Sequence, residues 1–525
     1  MMQNYRLDKG GYINRNKKIS FKFNGKKYFG YEGDTLASAL LANGVHLVGR
    51  SFKYHRPRGF IGAGVDEPNA KVQLYSGAKT EPNAVATEIE LVEGLIAKSQ
   101  NCFPSVSFDF GAINNLFSKI FPAGFYYKTF MWPKNFWYKI YEPIIRRAAG
   151  LGVAPLKPDP DRYEHKFEYC DVLVIGSGPS GLASALAAAK NGAKVILAED
   201  KSRFGGSLLT DEVTIGNKKG KDWADETIEQ LKSMPNVIVK NRSQVFGYYD
   251  HNMMVMFERT KDHLEFPSKY TPRQRLWYIR SKEVIASTGS IERPLVFGNN
   301  DRPGIMLASA AKEYLKIYGV LVGKKPIIFT NNDSAYDTAI DFKKNGINPL
   351  IIDVRENSKG TSVQEAKNLN IDIKFSHAIV NAKGYLRVKS ATIGKLNEKK
   401  SSYEKLENVF CDCICISGNW TPTVHISSQS GNKLKFDEEI NAFIPNQPRQ
   451  NESTVGSANG SFTLKKSLEE GFNKGFEVSN KITKKNLKTT TPASNERSND
   501  KHNKFWCMPL PKNKNYKRCV DFQND

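Results

Sequence analysis

The chain has 525 residues, enough for two or three domains, and is 40% hydrophobic and 11% aromatic, which excludes a disordered chain. Its formal net charge is +23, but no DNA- or RNA-binding motif accompanies the charge, so the excess reads as Lys-rich solvated surface and no nucleic-acid partner is expected. Seven cysteines form an odd, sparse set, and neither a signal-peptide core nor an apolar run of spanning length occurs; this excludes a disulfide framework and points to a reducing cytoplasm with no membrane partner.

In chain order, residues 19–30 (ISFKFNGKKYFG) alternate apolar and polar about Asn24-Gly25, a hairpin signal. Asp34 or Thr35 then caps a short helix through LASALLANGV that ends near Gly44. This order predicts a small β-grasp domain over residues 1–102. Residues 103–165 are rich in Phe, Trp and Tyr and read as an aromatic connecting segment. Over residues 166–480 strands and helices alternate, which predicts an α/β domain with a parallel sheet. Its first nucleotide-binding lobe takes residues 166–290 and 400–480, and a second lobe is inserted at 300–400. Residues 481–525 carry eleven Lys or Arg against four Asp or Glu, a local share of the basic excess.

The strongest signal is Gly176-x-Gly178-x-x-Gly181 after the apolar strand DVLVIG. Gly176 permits the tight turn, Gly178 admits a pyrophosphate to the backbone, and Gly181 lets the next helix pack on the strand. The helix N-terminus favours an anion there. The following strand, KVILAED, ends in Glu199, where a carboxylate accepts from ribose hydroxyls and repels a 2′-phosphate; NAD or FAD is expected over NADP. Gly205-Gly206-Ser207 are small enough for a loop to pass close to the nucleotide. Thr288-Gly289 ends the strand VIASTGS; it fits a two-dinucleotide oxidoreductase or an ordinary strand-to-loop turn.

Other chemistry is missing from the pattern. No redox pair of cysteines follows Gly205-Gly206, and none lies between Cys170 and Cys411. Cys411, Cys413 and Cys415 read as one packed face of a strand and not as metal ligands. A second αβ unit, from about Ser309 to Val354, reaches Asn331-Asn332-Asp333-Ser334 where a second glycine turn belongs. No catalytic acid, base or metal-ligand cluster stands out.

The stretches GRSFKYHRPRGF, VDEPNAKVQL, PAGFYYKTFMWP, YEPIIRRAAGLG, DVLVIGSGPSGLASALAAA, GGSLL, RPGIMLASAAKEYL, SGNWTPTVHISSQSG and CVDFQND strongly resemble the alpha subunit of heterotetrameric sarcosine oxidase. The resemblance implies a disulfide-reductase-like fold of the FAD/NAD(P)-binding Rossmann type, preceded by a ferredoxin-like domain. It implies a non-catalytic subunit that holds NAD beside beta, gamma and delta subunits, with FAD and FMN on or against the beta subunit, where sarcosine is oxidised. The NAD contacts it implies are Gly176, Gly178, Ser180, Gly181, Glu199, Asp200, Lys201, Gly206 and Ser207, with Val245, Gly456 and Ser457 as further transfers. Gly456-Ser457 replaces the Gly-Asp pair with which flavin relatives hold the ribityl chain, which agrees with NAD. The first cysteine of the chain is Cys102, so a [2Fe–2S] cluster is excluded by ligand count. The family's alpha subunit continues into a folate-binding domain, and the resemblance does not carry folate binding to a sequence ending at Asp525; it implies that residues 481–525 are a basic connector to that domain, poorly ordered without it. Alternatives are an FAD-containing subunit of an opine or amino-acid dehydrogenase and a structural nucleotide-binding assembly module.

Overall fold

The computed structural model describes residues 3–117, 130–150, 152–485, 490–498, 503–511 and 514–520. Residues 118–129, most of the aromatic motif, and 521–525, the end of CVDFQND, lie outside the described residues. The chain forms two compact units: residues 1–160, 294–419 and 499–525 make the first, and residues 161–293 and 420–498 the second.

The first unit begins with strands β1 (Asn14–Phe23) and β2 (Lys26–Glu32), joined at Asn24-Gly25, both with positive φ, as a two-residue hairpin requires. Helix α1 (Leu36–Ala42) follows; Thr35 accepts from the Ser38 N–H while the Ser38 hydroxyl takes the Thr35 N–H, a reciprocal cap that fixes the start of a helix buried on every face. Strands β3 (Lys71–Leu74), β4 (Glu81–Val85) and β5 (Ile96–Ser99) complete a five-stranded sheet in the order β2-β1-β5-β3-β4. The expected β-grasp domain is this sheet with α1. Within the connecting segment the amphipathic helix α2 spans Glu142–Ala149.

The second unit opens with β6 (Tyr163–Ile175), longer than the expected strand at 171–176, then α3 (Pro179–Lys190), β7 (Val195–Ala198), α4 (Gly220–Ser233) and β8 (Val237–Lys240). A meander of β9 (Ser243–Tyr249), β10 (Met253–Arg259) and β11 (Gln274–Ala286) follows. The chain then builds the second lobe, within the first unit. Its elements are β12 (Ile305–Leu307), α5 (Ala308–Tyr318), β13 (Pro326–Thr330), α6 (Ser334–Lys344), β14 (Leu350–Asp353), α7 (Thr361–Asn368), β15 (Asp372–Lys374), β16 (His377–Gly384), β17 (Val388–Leu396), β18 (Tyr403–Phe410) and β19 (Cys413–Ser417). The parallel sheet of this lobe runs β12-β19-β13-β14-β15. Residues 400–419, expected with the first lobe, belong here: β18 pairs with β17, and β19 lies between β12 and β13. Cys411, Cys413 and Cys415 are buried free thiols.

Back in the second unit, β20 (Glu452–Thr454) joins β11, and α8 (Leu464–Thr483) closes the unit. The sheet order is β8-β7-β6-β11-β10-β9. It is mixed, not purely parallel, because β9, β10 and β11 pair antiparallel. The core on one face joins Val172, Val174, Leu182, Leu186, Leu197 and Leu468. The apolar run Val172–Ile175 at the end of β6 follows from burial on both faces. Helix α8 packs on α3 with unusually little between them. A methyl added at Gly471 would overlap the Ser180 carbonyl and lie 2.8 Å from the Ala183 Cβ, and one at Gly475 would do the same at Ser184 and Ala187.

Parts of the basic C-terminal segment that lie among the described residues are held to the rest of the chain. Met508 and Cys519 are buried, and Ser494–Asn495 pairs with Thr214–Ile215; backbone hydrogen bonds, not composition, decide this. Among the described residues no helix is long and apolar enough to cross a membrane.

Candidate nucleotide site

The site lies in the second unit, at the carboxyl ends of β6, β7 and β11, where an open α/β sheet binds its ligand. Gly176 turns the chain with φ +94°, and a methyl there would overlap the Ser287 carbonyl, with the carbonyl carbon 3.0 Å away. Gly178 is the N-cap of α3, no side chain caps that helix, and Pro179 follows it. A methyl on Gly178 would meet nothing within 4 Å, whereas one on Gly181 would overlap the Gly176 carbonyl, whose carbon is 2.9 Å away. The three glycines therefore serve three ends: the turn, an open approach to an uncapped helix N-terminus, and close helix-on-strand packing.

Glu199, at the end of β7, is buried. Its carboxylate accepts from the Ser177 N–H at 2.9 Å, the Ser177 hydroxyl at 2.5 Å and the Lys201 N–H at 3.0 Å. Burial first, and then the neighbouring Asp200 carboxylate, push its pKa up to about 8. The glycine pair closes onto the same turn. The Gly205 N–H donates to the Ser177 carbonyl at 3.1 Å, and a methyl on Gly206 would lie 3.0 Å from the Gly178 Cα. Ser207 follows in the same short helical turn, Gly206–Leu209. Asp200 is tied down through its carbonyl, which accepts from Arg259 at 3.1 Å.

The remaining residues meet the turn from the other side. Ser180 and Ser287 share a hydroxyl hydrogen bond of 2.6 Å. Thr288 donates to the Thr423 carbonyl at 2.8 Å, and the Gly289 carbonyl accepts from the Thr423 N–H at 3.0 Å. Gly456 and Ser457 start a short helical turn over α3; a methyl on Gly456 would lie 2.9 Å from the Ser180 Cβ. The structure thus brings together Gly176, Gly178, Ser180, Gly181, Glu199, Asp200, Lys201, Gly206, Ser207, Thr288, Gly289, Gly456 and Ser457. Val245 differs. Its side chain is buried in the layer with Ile196, Ala198 and Trp277, because strand alternation turns it into the core; the start of β9 reaches the site through the Ser243 N–H on the Glu199 carbonyl at 2.7 Å.

Sequence reasoning passed over Ser177, which links Glu199 to the glycine turn, and Ser287. It also passed over Gly471 and Gly475, whose four-residue spacing on one helix face was the available signal. The equivalent turn of the second lobe is filled by its own side chains. Asn332 accepts from the Ser334 N–H at 3.0 Å and donates to the Ser417 hydroxyl at 3.0 Å. Asp333, at the start of α6, pairs with Arg355 at 2.7 Å, and Arg355 also pairs with Asp353 at 2.7 Å.

The loop after α1 is held by charge. Arg56 pairs with Asp301 at 2.6 Å and Arg58 with the same carboxylate at 2.5 Å, all three buried or nearly so. Burial raises the Asp301 carboxyl, but the two arginines outweigh it and hold its pKa at about 2. Glu67 accepts from four backbone N–H groups, those of Ile61, Gly62, Asn69 and Ala70.

Residues 16–102 match a family model described as a 2Fe-2S iron-sulfur cluster binding domain, and residues 171–242 one described as FAD dependent oxidoreductase. The first does not carry its cluster into this chain: Cys102 is the sole cysteine of the matched stretch, a [2Fe–2S] cluster needs four ligands, and the buried side chains of Arg58, Glu67 and Asp301 are engaged in an ion pair and in backbone hydrogen bonds. The chain is 44% identical to sarcosine oxidase subunit alpha of Rhizobium meliloti over 89% of its own length and 46% of the relative's. It is 31% identical to the sarcosine oxidase subunit alpha of a Corynebacterium, over 87% of this chain and 43% of that protein. The chain thus spans about half the length of the curated relatives it matches. Among solved structures, L-proline dehydrogenase from P. horikoshii shares the fold with a TM-score of 0.60 at 18% identity, over 92% of this chain and 76% of that one.

Proposed function

We propose that this chain, a homologue of sarcosine oxidase subunit alpha, is the NAD-holding subunit of a sarcosine oxidase-like complex whose chemistry takes place at the flavin of a partner beta subunit. The observation that carries the reading is the glycine turn that is open at Gly178, uncapped at α3 and lined by Glu199. The site fits a dinucleotide. The N–H groups at the start of α3 would meet the pyrophosphate, Glu199 would take the adenosine ribose hydroxyls, and Gly206 and Gly456 keep side chains out of the way. A bound NAD supplies a hydride acceptor. This chain's residues bind and orient it and bring no group to act on it: no redox cysteine pair follows Gly205-Gly206.

The complex as a whole would convert sarcosine, oxygen and water to glycine, formaldehyde and hydrogen peroxide, or pass the one-carbon unit to tetrahydrofolate when folate is present. The remaining partners would be the gamma and delta subunits. A second reading has one observation behind it: the match of residues 171–242 to an FAD-dependent family. In that reading the same cradle holds FAD in an opine or amino-acid dehydrogenase subunit. Denaturing the purified chain and weighing the released cofactor separates the two. Released NAD supports the proposal; released FAD, with no NAD, overturns it. Sarcosine-dependent peroxide on adding the beta subunit tests the assignment to the complex.

A further inference from the structure

The second lobe has the topology of a dinucleotide-binding sheet, and such a sheet binds outside the carboxyl ends of its strands, where the strand order reverses. Here that point falls between β13 and β19. From β13 the chain proceeds outward to β14 and β15, and β19 with β12 lie on the other side. The groups that face this crevice are Asn331, just after β13, and Gly418, just after β19. Both are taken by the C-terminal segment.

We propose that residues Asn503–Pro509 form a strap that closes the dinucleotide crevice of the second lobe, so that the chain takes a dinucleotide in its second unit and none here. The Asn503 N–H donates to the Asn331 carbonyl at 2.9 Å. The Asn331 amide in turn donates to the Asn503 carbonyl at 2.8 Å, and the Trp506 indole N–H donates to the Gly418 carbonyl at 2.6 Å. Beyond these anchors the strap lies alongside Val296. The Val296 N–H donates to the Trp506 carbonyl and the Met508 N–H to the Val296 carbonyl, each at 2.8 Å. Met508 is buried. Farther on, Cys519 and Asn300 exchange two hydrogen bonds of 2.8 Å, backbone to side-chain amide, so the segment is fixed at both ends of its path.

The seat beneath the strap is also filled. A phosphate would need the N-terminus of α6, and there the Asp333 carboxylate already sits, paired with Arg355. A ribose would need the acid at the end of β14, and Asp353 is engaged by Arg355 and by the Tyr336 hydroxyl at 2.8 Å. Strap and ion pairs together replace, with the chain's own groups, the contacts that a second nucleotide would make. A reduced nicotinamide therefore has no seat in this lobe from which to deliver hydride.

The test is hydrogen–deuterium exchange on the full chain, with and without NADH, beside a Gly178→Glu variant that disables the site of the second unit. Slow exchange at Val296 and Met508, unchanged by NADH in both proteins, is expected. Trp506→Ala should raise exchange at those amides about tenfold or more while leaving residues 171–199 unaltered; Asn331→Ala cuts the other anchor and serves if Trp506→Ala does not fold. Free exchange at Met508 in the unmodified chain overturns the strap. NADH binding to the Gly178→Glu variant with faster exchange at Val296 and Met508 overturns the closure, since the lobe would then be a gated nucleotide site. A chain whose second unit binds no NADH would sink the proposed function and leave the strap to be decided by the exchange rates alone.

Discussion

Gly178 and Gly181 stand three residues apart in one turn, and the structure assigns them opposite consequences when each becomes alanine. At Gly178 the backbone is extended (φ −66°, ψ −175°), a conformation any residue adopts, and the added methyl meets nothing within 4 Å. The unfolded chain loses freedom and the folded one loses nothing, so the ligand-free protein should gain about 0.4–1 kcal/mol. At Gly181 the methyl would lie 2.9 Å from the Gly176 carbonyl carbon and closer still to its oxygen. Helix α3 must move back from β6. Overpacking of this kind costs about 1–3 kcal/mol, and the opposing gain of Ala over Gly inside a helix is about 1 kcal/mol. The overlap is with backbone, which cannot swing aside as a side chain does, so the cost wins and the melting temperature falls by a few degrees.

Binding should respond differently from folding. The Gly178→Ala methyl stands where a pyrophosphate approaches the backbone, so NAD affinity should fall at least about tenfold, or roughly 1.4 kcal/mol. Gly181→Ala loses affinity as well, because Ser180 and its hydrogen bond to Ser287 move with the helix. Thermal unfolding of the ligand-free variants and calorimetric titration with NAD separate the two effects. Undiminished NAD binding by Gly178→Ala would refute the placement of the pyrophosphate. Equal destabilisation by the two substitutions would refute the distinction between open approach and packed contact.

Glu199→Gln should alter pH dependence in one direction. A carboxyl held near 8 in the folded chain, against about 4.3 unfolded, contributes stability that is complete below the unfolded value and lost as pH rises through 8. The variant's melting temperature should therefore gain on the parent's between pH 5 and 8.5, and a constant difference would disprove the buried assignment. Gly475→Leu, on the face of α8 against Ser184 and Ala187, should lower stability by about 3 kcal/mol in a denaturant titration; a neutral result would mean that the helices do not approach as described. Arg58→Ala leaves the buried Asp301 with one arginine fewer and should cost about 3 kcal/mol. Supplying iron and sulfide during refolding should neither restore stability nor leave iron on the chain, as read by metal analysis.

The βαβ unit was legible in sequence because backbone constraints fix its residues. Gly176 needs positive φ, Gly181 has no room for a methyl, and the end of β6, Val172–Ile175, is buried on both faces. Asn24-Gly25 and a helix cap at Asp34 or Thr35 were legible for the same reason, since short-range geometry leaves few residue choices; the structure makes the cap Thr35. Residues 400–419 were assigned to the wrong lobe because β18 is exposed along alternate positions and its pairing with β17 depends on a partner that local pattern does not name. For Val245 the motif transfer gave the position but not the face its side chain takes, which strand alternation sets. The described parts of the C-terminal segment make contacts that their composition does not announce. Lys-rich composition describes what its side chains do in water, whereas Asn331, Val296 and Asn300 bind its backbone, and backbone groups leave no mark on composition.

The two turns of this chain test what makes a Rossmann-like crossover a ligand site. Both follow a buried parallel strand, and both lead into a helix of eleven or twelve residues. At α3 no side chain caps the helix, and no carboxylate precedes it in the turn Gly176–Ser180, so the partial positive charge of the N-terminus is offered outward. At α6 the Asn332 side chain accepts from the Ser334 N–H at the helix start, and the neighbouring Asp333 carboxylate is paired with Arg355. An incoming pyrophosphate would have to displace a buried ion pair, and two like charges at about 4 Å repel by about 4 kcal/mol at the effective dielectric of a protein surface. Topology is therefore shared while affinity is not, and three side chains, Asn332, Asp333 and Arg355, account for the difference. A hydride relay across one chain needs two nucleotide seats or a redox group between them. Among the described residues one such seat is open, and no cysteine lies between Cys170 and Cys411, which is why the proposed function assigns substrate oxidation to another subunit.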